Sequence, residues 1–243
     1  RNFKLLVPAS KAGGAPPQLA LTLEGQDLEL ELRKGLPPLE VPRMLVRSEG
    51  SSVEATIPDS QLSLSAGRKI QLKGGRITAV VVDDGQPTAE VAFRAAGSLP
   101  SFLDLLDREP IAALKGANLP LASIDGKVET QVRVTLPIVS GLSLADLKIE
   151  SKTRISDGRI KDVVGTHDVT GASFTIDATE KQVDGKGELL LAGVNVKVAG
   201  QWLAEPPPEG RPPLLKLTSR LDSAYRVQLG LDLEHMISGE LPI

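Results

Sequence analysis

Few residues of this 243-residue chain could perform chemistry, and their neighbours do not complete a catalytic group. His167 is followed directly by Asp168, but adjacent residues of a strand point to opposite faces, which argues against a relay between them. The second histidine, His235, ends a run of alternating residues. Ser173 lies in the sequence Gly-Ala-Ser-Phe-Thr, which lacks the second glycine of a nucleophile elbow. The sequence therefore predicts that the protein is not an enzyme.

Metal, nucleotide and nucleic-acid sites are not indicated either. The chain has no cysteine, which excludes thiolate zinc sites, disulfides and thiol catalysis. Asp177, Asp184 and Glu188 are too widely spaced for a calcium loop, and no phosphate loop or dinucleotide fingerprint is present. A formal net charge of -3 and scattered basic residues argue against nucleic acid as a partner. We expect no metal and no cofactor.

Aliphatic residues must supply the apolar surfaces of this protein. The chain is 41% hydrophobic but only 2% aromatic, with one Trp, one Tyr and four Phe. Globular cores normally use large rings for much of their buried area. No apolar run approaches the roughly 18 residues that a membrane-spanning helix needs. The apolar residues of this chain are therefore almost all aliphatic.

Apolar and polar residues alternate along most of the chain, as in antiparallel strands with one apolar and one wet face. The alternation is clear in residues 28–32, 128–136 and 194–198, and clearest in 225–233. Several residue pairs between the runs suit type I′ turns, which need positive φ, and these predict hairpins. The pairs are Gly74-Gly75, Asp84-Gly85, Asp125-Gly126, Asp157-Gly158 and Asp184-Gly185. The predicted fold is mainly β: an elongated, curved antiparallel sheet of successive hairpins.

One segment reads as a helix. Ser101 can cap it, and apolar residues recur at helical spacing from Phe102 to Leu106 until Pro110 interrupts them. Residues 111–114 predict one further turn. We expect this short helix to plug one end of the sheet.

The chain is predicted to be a single elongated unit over residues 1–243. Loops are predicted at 9–17, at 36–42 and at the proline-rich segment 205–213. The helical region near 98–118 and the loop at 205–213 are the places where the unit could be subdivided.

Strands with one apolar face need a cover for it, and two solutions remain open. A second sheet can cover the face, which gives a structural or adhesion β-sandwich without lipid cargo. A curved sheet can instead hold an apolar ligand, and smooth aliphatic walls suit flexible acyl chains. On this second hypothesis the alternating apolar residues line a groove and contact phospholipid acyl chains: Leu28, Leu30, Leu32, Leu62, Leu64, Val132, Val134, Leu147, Ile149, Val194, Val196, Val198, Val227, Leu229, Leu231 and Leu233.

The part of the chain from residue 119 to 243 resembles the AsmA-like superfamily, most closely its YhdP-like branch. The similarity lies in the amino-acid sequences of several short blocks and in the order in which they occur. They are LPLASIDG at 119–126, LADLKI at 144–149, SDGRIKDV at 156–163, DGKGELLLAGV at 184–194 ending at Gln201-Trp202, and finally Leu221-Asp222 running to 225–227. These are features of strands and turns, and none of them is a catalytic signature.

The resemblance implies a β-rich protein of the Gram-negative envelope that carries phospholipid between the inner and outer membranes. It implies a periplasmic location, an anchor in the inner membrane through a segment outside this chain, and other envelope proteins as further partners. The chain starts at Arg1 and stops at Ile243 within an apparent strand. We therefore expect it to be a piece of a longer protein.

Overall fold

A computed structural model describes residues 2–6, 20–80, 86–114, 121–139, 141–143, 146–164, 167–203, 214–221 and 241–242. These residues contain thirteen strands and one α-helix, α1, which spans Leu99–Asp107. The strands are β1 (Asn2–Leu6), β2 (Ala20–Leu30), β3 (Leu39–Glu49), β4 (Ser52–Ser63), β5 (Lys69–Val80), β6 (Thr88–Ser98), β7 (Ile124–Pro137), β8 (Lys148–Val164), β9 (His167–Thr179), β10 (Gln182–Leu191), β11 (Val194–Leu203), β12 (Leu214–Leu221) and β13 (Leu241–Pro242). The loops predicted at 9–17 and 205–213 lie outside the described residues.

The strands form one open antiparallel sheet in which spatial order follows chain order. Each strand pairs with the next along the chain, as a meander requires, so the predicted mainly β fold of successive strands is confirmed. Within the described residues, strands make extensive contacts only with these neighbours, and no second sheet is stacked on the first. With strands ~4.8 Å apart, thirteen of them extend about 58 Å across the sheet.

Most of the residue pairs predicted as hairpin turns lie inside strands, and that prediction was wrong. Gly74-Gly75 is in β5, Asp125-Gly126 in β7, Asp157-Gly158 in β8 and Asp184-Gly185 in β10, while Asp84-Gly85 lies outside the described residues. The first three sit where the strand register shifts. Some bulges use the same positive φ as a type I′ turn, and Gly74 (φ 61°) and Asp157 (φ 55°) have it.

The connection between β10 and β11 has the geometry expected of a tight hairpin. Only Ala192 and Gly193 separate the two strands, with φ values of 51° and 82°. Two consecutive positive φ values are the mark of a type I′ turn. The sequence signal failed here because an Ala-Gly pair is not a common form of that turn.

The predicted loop at 36–42 is also partly wrong, because β3 begins at Leu39 and continues through Pro42. The pairing of β3 with β4 is interrupted between Glu40 and Leu45, so the missing N–H of Pro42 breaks no ladder hydrogen bond there. The alternation of buried and exposed residues in β3 shifts by one residue at Pro42 and Arg43, which are both exposed. The same shift occurs in β2 beside Asp27, which has a φ of 51°. These strands therefore bend together without losing register with each other.

Helix α1 starts earlier than predicted. Ser98 caps it, since the backbone N–H of Ser101 donates to the Ser98 hydroxyl at 3.3 Å, and Pro100 occupies the first turn. Proline fits that position because its absent N–H would have no helical partner there. Ser101, the predicted cap, is buried inside the first turn. Residues 111–114 form turns rather than the further helical turn that was predicted.

The helix covers one end of the sheet with two apolar side chains. Phe102 and Leu105 pack against a cluster of buried residues at the ends of the neighbouring strands. The cluster comprises Leu28, Leu39, Val41, Ile57, Leu62, Leu64, Ile70 and Ala95. Gly97 makes room for the helix, because a Cβ at this position would lie 3.4 Å from Cε2 of Phe102 and 3.0 Å from the backbone oxygen of Lys69.

A polar anchor holds the other side of α1. The Asp104 carboxylate accepts hydrogen bonds from Arg68 at 2.9 Å, Ser65 at 3.0 Å and Arg108 at 3.3 Å. Burial raises the pKa of Asp104, but these hydrogen bonds together lower it by more, so its pKa lies below the ordinary value for an aspartate. The anchor ties the helix to the turn between β4 and β5.

Replacing Asp104 by Asn should weaken this end of the molecule. We expect Asp104→Asn to lower the free energy of unfolding at neutral pH by about 1–3 kcal/mol, because charged hydrogen bonds are lost and two arginines lose their partner. Since the folded-state pKa is depressed, the stabilisation is complete above the ordinary aspartate pKa and disappears as the pH falls through the folded-state value. Urea unfolding of both proteins over a pH series should show their stabilities converging in acid.

The exposed Asp107 on the same helix provides the matched control for this measurement. Asp107→Asn should leave the stability unchanged or raise it slightly, since it removes a negative charge at a helix C-terminus. Equal losses in the two variants would contradict the anchor.

Two glycines of β10 should respond differently to a methyl group. A Cβ on Gly187 would overlap the Ser173 carbonyl oxygen and the Phe174 ring, whereas a Cβ on Gly185 would have its nearest neighbour 3.9 Å away, on Ile176. We expect Gly187→Ala to cost about 1–3 kcal/mol of unfolding free energy because the packing is already tight. Gly185→Ala should be neutral, and a comparable loss there would show that the strand tolerates no substitution.

Candidate functional site

The residues with chemical potential are not gathered into a site. The Asp168 carboxylate, next to His167, accepts from the backbone N–H of Asp162 at 3.1 Å. Ser173 is exposed in β9, and His235 lies outside the described residues. Among the residues that the structure describes, no three His, Asp or Glu side chains form a group that could hold a metal ion. The described helix is not one that could cross a membrane.

The most extensive feature of the molecule is a line of apolar residues that crosses the sheet. Directly paired residues of an antiparallel sheet share a face, so the pairing from β2 to β12 defines the line without reference to side-chain positions. We call it the long apolar row. It consists of Leu30, Leu39, Leu62, Ile70, Gly97, Val128, Ile155, Phe174, Gly187, Val198 and Leu217. Every member is apolar or glycine.

Two further rows lie on the same face, towards the other ends of the strands. One runs through Leu23, Val46, Ala55, Ile77, Val91, Val134 and Ile149. The other runs through Phe93, Val132, Ser151, Ala178, Val183 and Trp202. The face is thus apolar over several rows in both directions.

Two hydroxyls in the middle of this face form a hydrogen bond with each other. Thr130 and Thr153 are directly paired across β7 and β8, and their hydroxyl oxygens lie 2.8 Å apart in a hydrogen bond. Thr130 is buried. An unpaired buried hydroxyl would cost about 1–3 kcal/mol, and the pairing removes that penalty from the middle of the apolar face.

The opposite face of the sheet is charged and wet. Its central row is Lys73, Arg94, Gln131, Lys152, Asp177, Asp184 and Gln201. Cross-strand ion pairs join Arg133 to Glu90 at 3.2 Å and Arg76 to Glu54 at 3.4 Å. A depression of about 850 Å³ on this face is lined mainly by charged and polar residues, among them Lys73, Arg94 and Lys152. A second depression, of about 800 Å³, is lined by residues of both faces, including Phe93 and Val132.

The apolar face is covered at one side and bare at the other. Leu62 and Ile70 are buried in the cluster beneath α1. Towards β11 and β12 the same face is open, with Trp202 62%, Leu215 66% and Leu217 53% exposed. Apolar side chains this exposed on one contiguous surface are typical of an interaction site.

The predicted groove-lining residues divide into groups according to their surroundings. Protein atoms bury Leu28, Leu62, Leu64 and Val194. Half-buried positions within strands are occupied by Leu30, Val132, Val134, Ile149, Val196 and Val198. Outside the strands lie the exposed Leu32 and the half-buried Leu147, and outside the described residues lie Val227, Leu229, Leu231 and Leu233.

Other members of the apolar face were not singled out in advance, although a signal for them exists. Phe174 and Ile176 alternate with polar residues in β9, but the flanking members of that series are alanines. Alanine and glycine look neutral in a hydrophobic pattern. Counting them as apolar would have extended the predicted face across β9 and β10.

Comparison of the chain with protein-family models, with curated proteins and with solved structures found no match in any of the three. The features that bear on function are therefore the geometry and chemistry of the apolar face.

Proposed function

We propose that this chain is a segment of a hydrophobic groove that carries phospholipid acyl chains between the inner and outer membranes of a Gram-negative envelope. It belongs, on this proposal, to a periplasmic AsmA/YhdP-like protein anchored in the inner membrane by a segment outside this chain. The observation that carries the proposal is the long apolar row, which continues across eleven strands without a polar side chain. It acts by burial and needs no reacting group.

The length of the row suits movement along a path better than binding at one point. Ten strand spacings of ~4.8 Å give about 48 Å. One leaflet of a bilayer core is about 15 Å thick, which is the length that an acyl chain occupies there. The row is thus about three chain lengths long, and a lipid could occupy successive positions along it.

An apolar face of this kind would lower the free-energy cost of moving a phospholipid through water. Two acyl chains contain about 30 methylenes, and at ~0.8 kcal/mol each their exposure to water costs roughly 24 kcal/mol. Free diffusion of a phospholipid through water is therefore negligible. A face that keeps the chains covered at each step removes most of this barrier while the headgroup stays in water.

The open form of the sheet favours a groove over the alternative, a structural or adhesion sandwich. A sandwich needs a second sheet against the apolar face, and the described residues form a single sheet. The exposure of Leu215 and Leu217 also suits a face whose cover is a ligand.

A photo-crosslinking amino acid can test which face meets lipid. Leu217 lies on the apolar face and the adjacent Thr218 on the polar face, and both are exposed. With the protein incubated with phosphatidylethanolamine vesicles, we expect a crosslinker at Leu217 to capture phospholipid and one at Thr218 to capture little. Equal labelling at the two positions would refute the assignment of faces.

A charge placed on the apolar face should impair binding more than one on the polar face. Leu217→Asp puts a carboxylate in the path of the acyl chains, where desolvation is costly, whereas Thr218→Asp leaves that path unchanged. We expect a severalfold loss of co-purified phospholipid for Leu217→Asp and little change for Thr218→Asp. Circular dichroism checks that both fold, and similar lipid content in the two would argue for a closed structural protein.

A further inference from the structure

Helix α1 lies on the surface that the proposed cargo would need. It contacts β5, β6 and β7, whose members of the long apolar row are Ile70, Gly97 and Val128. The row continues from beneath the helix to the exposed Leu217 without a polar break. The helix therefore covers one portion of a single apolar path.

The attachment of α1 to the buried cluster uses two apolar side chains. Only Phe102 and Leu105 of the helix pack against the buried cluster. An acyl chain along the same strands would cover more apolar surface than two side chains, because hydrophobic stabilisation follows the buried area.

A polar contact joins the helix to the turn between β4 and β5. The side chain of Arg68 is 27% exposed and that of Arg108 is 30% exposed, so water can replace the hydrogen bonds of Asp104 if the helix leaves. A contact of this kind can be released without leaving a buried charge behind.

We propose that α1 is a displaceable plug that competes with phospholipid acyl chains for the β5–β7 portion of the long apolar row. Docked, it blocks the path at β5–β7; released, it opens the path towards β2–β4. The inference rests on the proposed function, because only an acyl-chain ligand gives the helix a competitor.

Because the chain has no cysteine, a single disulfide can be introduced to fix the helix to the sheet. Ser65 Oγ and Asp104 Oδ2 lie 3.0 Å apart, so the double variant Ser65→Cys with Asp104→Cys places two thiols across the contact. Oxidation fixes α1 to the sheet and reduction frees it, and a mass shift of the peptides verifies the bond.

Two aromatic positions report where lipid lies in the locked and unlocked forms. Phe93 on β6 packs beside the cluster under the helix, and Phe174 on β9 lies on the uncovered part of the face. Either ring can be replaced by p-benzoylphenylalanine, a photo-crosslinker that survives the thiol reductants needed to open the disulfide. After incubation with phosphatidylethanolamine vesicles, labelling at Phe93 should fall about tenfold on oxidation, as expected for a state that must open before binding. Labelling at Phe174 should not change.

Hydrogen exchange on the unmodified 243-residue chain provides the second measurement, and it needs no variant to fold. Phospholipid should accelerate exchange of the α1 amides, since displacement exposes them. If both positions label equally in oxidised and reduced protein and the α1 amides exchange no faster with lipid, the plug is refuted while the groove stands. If neither position labels in either form, the groove itself fails and the plug with it.

Discussion

The register between neighbouring strands decides which face of the sheet each side chain occupies. Side chains alternate between faces with a period of two, so a slip of one residue in any strand would move its apolar residues into water and its charged residues onto the apolar face. Pairing from β2 to β12 nevertheless brings eleven apolar or glycine residues into one line. A face of this extent requires each strand to keep its phase relative to the next.

The bulges preserve this arrangement in two ways. In β2 and β3 the alternation shifts beside Asp27 and Pro42, yet the pairing between these two strands keeps one register throughout. Elsewhere the register itself shifts, at Gly74 and Gly75 where β5 meets β6, and again between β7 and β8, between β8 and β9, and between β9 and β10. The paired apolar residues stay on the same face on both sides of these shifts.

The alternation of side chains between the two faces also explains how much of the fold could be predicted from the sequence. Alternation is a local signal, so the strand class, the meander and the apolar face could be inferred from runs such as 128–136. Positive-φ residues are ambiguous, because Asp157 serves a bulge with the backbone shape that a turn would need. The start of the helix was predicted too late, because the regular apolar spacing begins only at Phe102 whereas the first turn contains Pro100. Which part of the face α1 covers depends on contacts between Phe102 and distant strands, and no local pattern encodes them.

If the chain is a groove for lipid, then lipid rather than protein covers the open part of its apolar face. Native mass spectrometry of the chain, expressed in a bacterium and purified without harsh detergent, can detect that lipid. We expect adducts with phospholipid masses that disappear after organic extraction and return with vesicles. A spectrum showing only the bare chain, before and after incubation with vesicles, would refute the proposed groove.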